Sequence, residues 1–130
     1  MALYSEKVMD HFLHHSEYIR LCGDMDQMES SKELDSVIVL KGEKDIITDG
    51  TRIRTNITGN AGMTSGGTGD VLAGIISGLL SKGMGPVDAG CLGTYICGKA
   101  GDLAFEEFSF GLLATDIIDY VAKVISKELM

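Results

Sequence analysis

Positive charge is scarce in this chain: eleven Lys and Arg residues stand against nineteen Asp and Glu, a formal net charge of −8 at pH 7. A surface of that sign repels phosphodiester backbones and anionic headgroups, which argues against nucleic-acid and membrane partners. Cysteine is scarce too. Cys22, Cys91 and Cys97 form no Cys-x-x-Cys and leave one thiol over, so they read as packing thiols in a reducing cytosol. Long apolar runs are missing. The longest, residues 71–80, is well under the roughly 20 residues a membrane helix needs. The first fifteen residues hold no signal-peptide core and carry Glu6 and Asp10, so a cytoplasmic location is expected.

What is present is enough apolar content to fold, 45% of 130 residues, as one domain or part of one. The most informative stretch is NITGNAGMTSGGTGDVLAGIISGLL, residues 56–80. Five glycines between Gly59 and Gly69 run into an apolar helix with Asp70 at the junction. Such a loop brings backbone N–H groups close to a ligand, and the helix adds its open first turn and positive dipole end. Together they predict a phosphate seat. It is not a P-loop, because Thr68 stands where the lysine belongs, nor a dinucleotide fingerprint, because Leu72 takes the third glycine position.

A carboxylate beside bound phosphates repels them unless it takes a proton from the hydroxyl that attacks the terminal phosphoryl group. Asp70 is therefore a candidate base. The plainer alternative is that it caps the helix.

Along the chain, Tyr4, Val8, Phe12, His15 and Ile19 predict a helix ending near Cys22-Gly23. His11, His14 and His15 fall in it as ordinary helix histidines, with no further ligands to make a metal site. Residues 23–35 read as a loop with a short helix at 30–34. The run Val37-Ile38-Val39-Leu40 predicts a parallel strand buried on both faces, with Lys41 at its carboxyl end, where α/β sheets hold ligands and where a surface turn is the plainer reading. Asp49-Gly50 predicts a hairpin between 46–48 and 51–55, with Arg52 and Arg54 on one face, either solvated or touching an anion.

A helix over 70–82 carries Gly74 and Gly78, and a second from Pro86 to about 105 carries Ala89, Gly93, Cys97, Ala100, Gly101 and Ala104. The two small-residue stripes are expected to pack together. A last helix starts at Ala114, with Thr115 as its cap and Asp116 in its first turn, and is expected to bury Ile117, Ile118, Val121, Val124, Ile125 and Leu129.

The run from Asn60 to Asp70 resembles the signature of the NAD(P)H-hydrate dehydratases of the ribokinase-like superfamily. Lys41-Gly42, Gly98-Lys99-Ala100-Gly101-Asp102 and Gly111-Leu112-Leu113-Ala114-Thr115-Asp116 are similar to that family in the same order, and the likeness is dense from about residue 37 onward. His14-His15-Ser16-Glu17 is a fainter echo of a Thr-Pro-His-x-x-Glu segment whose histidine lies near the substrate, with Phe12-Leu13 in place of Thr-Pro. Cys97 stands where members often have His.

The resemblance implies an α/β fold, the C-terminal part of a ribokinase-like three-layer domain, with a buried strand, a hairpin and three to four helices. Residues 1–36 would be a helical lead-in and 37–130 the family-like core. It implies nucleotide binding by Lys41, Gly42, Glu43, Lys44 and Asp45, and by Asn60, Ala61, Gly62, Met63, Thr64, Ser65, Gly66, Gly67, Thr68 and Gly69. Asp70 would be the base, with Asp70 and His14 near the substrate.

The implied reaction phosphorylates the ring hydroxyl of hydrated NADH or NADPH at the expense of ADP or ATP with Mg²⁺, then eliminates phosphate. No resident metal ligand set is implied. The rivals are a small-molecule kinase of the same superfamily and a nucleotide-binding or assembly module without catalysis. Members are about twice as long, and one strand plus a hairpin is little sheet for three apolar helices. Apolar surface should therefore be left for a second copy or a partner segment carrying the missing strands.

Overall fold

The computed structural model describes residues 22–130. The predicted helix with His11, His14 and His15 lies outside the described residues, as does the pairing of His14 with substrate. The first described element is a helix, α1, Cys22–Leu34, so the expected loop over 23–35 is corrected to helix through Leu34. Good helix formers such as Gln27, Met28, Glu29 and Lys32 fill it. Buried Ser31 ties it to the sheet: its hydroxyl donates to the carbonyls of Ser36 at 2.5 Å and Thr48 at 3.3 Å. No apolar stripe marks it, and periodicity had nothing to detect.

Three strands follow, β1 (Ile38–Leu40), β2 (Asp45–Thr48) and β3 (Ile53–Asn56), in one antiparallel sheet of that order. Ile38 pairs with Thr48 and Leu40 with Ile46; Asp45 pairs with Asn56 and Thr48 with Ile53. The expectation of a parallel strand buried on both faces is overturned. β1 is an antiparallel edge strand, half-buried, with Leu40 exposed. An aliphatic run reports an appetite for cover, and among the described residues β1 receives it in part, Val39 meeting the helix at Gly90 while Leu40 stays exposed.

The Asp49-Gly50 turn closes the β2–β3 hairpin as expected, although β3 starts only at Ile53. Gly50 takes φ +88°, and the Asp49 carboxylate accepts from the N–H groups of Thr51 (3.0 Å) and Arg52 (2.8 Å). The Arg52 guanidinium grips its other oxygen at 2.9 and 2.7 Å, so Arg52 is paired within the turn. Those bonds hold the Asp49 carboxyl well below the usual carboxylate range, the Arg52 N–H leading.

Beyond a 3₁₀ turn at Ala61–Met63 come α2 (Thr68–Ser81), α3 (Pro86–Phe108) and α4 (Ala114–Val124), whose last turn widens over Ile125–Leu129. Pro86 opens α3 with Asp88 in its first turn, as its sequence predicts. α3 is the central element: one face lies on the sheet at Ile47 and Val39, while α2 and α4 pack elsewhere on it. The core gathers Ile47, Leu92, Tyr95, Ile96, Leu112, Ile117 and Val124.

Two packing expectations need correction. The glycine stripes of α2 and α3 do not meet, because a Cβ on Gly74 or Gly78 would find nothing within 4 Å. α2 instead turns its aliphatic face inward, and Ile76 fits a notch at Gly93 of α3, where a Cβ would lie 2.5 Å from its Cγ1. In α4, Ile117 and Val124 are buried but Ile118 is 54% exposed and Ile125 is exposed as well. Thr115 is not the cap either. Leu113 precedes the helix, and its N–H is taken by the Asp116 carboxylate at 2.7 Å.

Candidate functional site

The segment joining β3 to α2 lies between two cavities of the described residues. One, of about 580 Å³, is walled by residues 41–45 after β1, residues 57–61, Met63 and Thr64 of the loop, and Leu72, Thr94, Cys97 and Gly98 from α2 and α3. The other is an open groove of about 720 Å³ between α2 and α4, lined by Gly67, Asp70, Val71, Gly74 and Ile75 on one bank and Ala114, Thr115, Ile118, Val121, Ala122 and Ile125 on the other.

The first cavity is held in shape by side chains that bond across it. Asp45 accepts from the Gly42 N–H at 3.3 Å and the Asn56 amide at 3.0 Å. Asn56 also donates to the Thr94 carbonyl at 3.2 Å and accepts from the Thr58 hydroxyl at 2.9 Å. The loop itself starts with Asn60, whose side-chain oxygen caps the 3₁₀ turn by accepting from Gly62 N–H at 3.0 Å. Cys97 stands buried in the wall, and burial pushes its thiol up to about 11, with Lys41 acting the other way. Burial likewise pushes Cys91 up to about 12.

The loop ends at Gly67, in the left-handed region at φ +96°, which turns the chain into α2. A Cβ there would come 3.1 Å from that of Ala114, so the start of α4 backs the turn. The first helical bond runs from Val71 N–H to Gly67 C=O at 3.2 Å, and no side chain caps this end. The N–H groups of Thr68, Gly69 and Asp70 therefore lie ahead of it, a ready anion seat. Asp70 does not cap the helix; it is exposed in the first turn.

Of the residues expected at the site, Lys41, Gly42, Glu43, Lys44, Asp45, Asn60, Ala61, Met63 and Thr64 line the first cavity. Gly62 is buried behind it, where a Cβ would strike the Phe105 ring at 2.6 Å. Ser65, Gly66, Thr68 and Gly69 form the turn between the cavities, and Gly67 and Asp70 face the groove. Asp45 reaches the cavity but both its oxygens are engaged by the protein. Sequence reasoning counted Gly59 among the loop glycines but missed Ile57, Thr58, Leu72, Thr94, Cys97 and Gly98. Thr58 adjoins the loop and could have been found by adjacency, whereas Leu72 and Thr94 gave no signal beyond helical phase.

Among the described residues no three His, Cys, Asp or Glu side chains cluster as a metal site, and no helix is long and apolar enough to cross a membrane. Lys41 and Lys44 line the first cavity, and the uncapped start of α2 follows its Thr64 wall in the chain; ammonium groups and free amides of this kind suit a polyphosphate. Mg²⁺ fits such a place as an ion carried mainly by phosphates and water.

A family model described as NAD(P)H-hydrate dehydratase matches residues 13–123. The bifunctional NAD(P)H-hydrate repair enzyme Nnr of Archaeoglobus fulgidus is 41% identical over 112 residues, 86% of this chain and 24% of that protein. The ADP-dependent (S)-NAD(P)H-hydrate dehydratase of Natrialba magadii is 45% identical over 96 residues, 73% of this chain and 37% of the other. Among solved structures, the ADP/ATP-dependent NAD(P)H-hydrate dehydratase from Bacillus subtilis, co-crystallized with ATP/Mg²⁺, matches with a TM-score of 0.73 at 34% identity, covering 78% of this chain and 38% of that one. A ribokinase-like superfamily protein from Enterococcus faecalis matches with a TM-score of 0.69 at 31% identity, over 83% of this chain and 37% of the other. The fold is ribokinase-like. The chain spans about a quarter of the first of these relatives and under two fifths of the others.

Proposed function

We propose that this chain, which belongs to the NAD(P)H-hydrate dehydratase family, carries the nucleotide-handling side of an ADP- or ATP-dependent dehydratase acting on hydrated NADH or NADPH. The observation that carries the reading is the uncapped start of α2, with the Lys41–Asp45 cavity on one side and Asp70 on the other. ADP or ATP lies in the cavity, where Lys41 and Lys44 add positive charge, with its terminal phosphoryl group directed to the amides of residues 66–69. Mg²⁺, when bound, supplies charge neutralisation across the phosphates.

The hydrated nicotinamide ring approaches from the Asp70 side. Asp70 takes the proton of the ring hydroxyl, the hydroxyl oxygen attacks the terminal phosphorus, the bridging P–O bond breaks to release AMP from ADP or ADP from ATP, and the amides stabilise the charge that develops. The C–O bond then breaks and phosphate departs, while loss of a proton from the neighbouring carbon restores the double bond. Free, buried Cys91 and Cys97 suit a reducing, cytoplasmic setting. The open groove and the outer edge of β1 take the part of the fold that the longer relatives possess, supplied by a partner segment or a second copy. A second reading, a nucleotide-binding module without turnover, is favoured by that same open groove.

Calorimetry with ADP and with ATP, alongside turnover of hydrated NADH, tests both. Binding with turnover supports the dehydratase, binding without turnover the module, and no binding of either nucleotide defeats the two together.

A further inference from the structure

We infer that Asp102 is a positioning residue of the nucleotide loop, a carboxylate on α3 that fixes where the loop begins. This inference rests on the nucleotide reading above only for its consequence on affinity. One Asp102 oxygen accepts from the Gly59 N–H at 3.2 Å and the other from the Asn60 side-chain amide at 2.9 Å. Asn60 in turn uses its own oxygen to take the Gly62 N–H at 3.0 Å. A single side chain more than 40 residues away in sequence thereby orders three successive features of the loop.

The face of α3 around this carboxylate is shaped to receive that segment. Gly98, Gly101, Asp102 and Phe105 follow one another at i, i+3, i+4 and i+7, which places them on one stripe. A Cβ on Gly98 would lie 2.0 Å from Thr58 Oγ1, and one on Gly101 would lie 2.1 Å from Met63 Sδ. The loop start is thus seated between two notches, with the carboxylate between them.

Both Asp102 oxygens face donors, so the position requires an acceptor on each side. An amide cannot supply that: Asn would aim its NH₂ at the Gly59 N–H or at the Asn60 NH₂. Exchanging the two residues restores the pattern, because Asn at 102 would donate to Asp at 60, whose second oxygen still takes the Gly62 N–H. The loop's far end is fixed by Gly67 and α2, so releasing its near end frees the amides in between.

The test compares the wild-type chain with Asp102→Asn and with the double variant Asn60→Asp/Asp102→Asn. Amide hydrogen exchange over residues 59–64 and ADP affinity by calorimetry are both read. Loss of the charge-assisted bonds should speed exchange in 59–64 about tenfold and weaken ADP about tenfold in the single variant, with β2 and α4 unchanged. The double variant should recover most of the exchange protection. Wild-type exchange in Asp102→Asn overturns the inference, as does a double variant no better than the single one, or faster exchange spread equally over β2 and α4. If the wild type holds no ADP, the nucleotide reading fails, while the exchange data still decide the role of Asp102.

Discussion

On the Lys41 side of the glycine loop, the cavity walls are tied to one another through Asp45, Asn56, Asn60 and Asp102, and glycines on α3 admit the loop to contact distance. On the α4 side, the groove is lined by aliphatic side chains, Ile118 stands 54% exposed, and Gly74 and Gly78 of α2 meet nothing within 4 Å. One side is finished by this chain's own residues and the other is not. A polar network specifies a shape only when its members are satisfied. An apolar face leaves its occupant to be supplied. The difference teaches that, among the described residues, the Lys41 side is closed by the chain's own hydrogen bonds, whereas the α4 side leaves apolar surface uncovered.

The sharpest way to break that contrast is Asp70→Asn. Turnover of hydrated NADH, by the chain alone or joined to its complement, should fall by roughly 10² to 10⁴. ADP affinity by calorimetry should be kept or raised. Turnover that survives removes Asp70 from the role of base and with it the division of labour between the two sides.

Next in size is the thiol chemistry of the finished side. A Cys97 value of about 11 against an ordinary 9.0 leaves about a hundredfold less thiolate below pH 9. Alkylation at pH 8, followed by mass spectrometry, should therefore be at least that much slower in the folded chain than in urea. Both buried thiols have raised values, so the stability linked to their neutral form is complete below pH 9 and is lost as pH climbs through 11 to 12.

Two alanine substitutions then carry opposite signs. Gly98→Ala places a Cβ 2.6 Å from the Thr58 carbonyl carbon, which is backbone, and should destabilise by about 1–3 kcal/mol in urea unfolding. Gly74→Ala meets open space in a helix interior and should stabilise by up to about 1 kcal/mol. Should Gly74→Ala destabilise the chain, the groove is already filled, and the contrast between the two sides disappears.

What could be read from the sequence was what neighbouring residues settle among themselves. Asp49-Gly50 closes a hairpin through its own bonds, Pro86 opens a helix, and the glycines before Asp70 make a turn whose amides point one way. What could not be read depended on distant partners. β1 has the composition of a central strand, and only its pairing shows it to be an edge. α1 is tied to the sheet by the Ser31 hydroxyl, which no hydropathy pattern registers. The glycines of α2 and α3 look alike in sequence, yet Gly93 receives Ile76 whereas Gly74 receives nothing. Glu43, Lys44 and Asp45 did fall at the cavity, but the bonds that make Asp45 a wall member run to Asn56 and Gly42. Asp102 sat in a motif with no assigned task until Gly59 and Asn60 were seen against it.

The central helix, Pro86–Phe108, meets the sheet at Gly90, α2 at Gly93, Thr58 at Gly98 and Met63 at Gly101. Adding one residue near its middle would rotate everything downstream by about 100°. The notches at 98 and 101 would swing away from their partners while those at 90 and 93 stayed in place. Such a helix behaves like a key cut for four wards at once: it tolerates exchange of its outward teeth, but a change of length misaligns half of the lock.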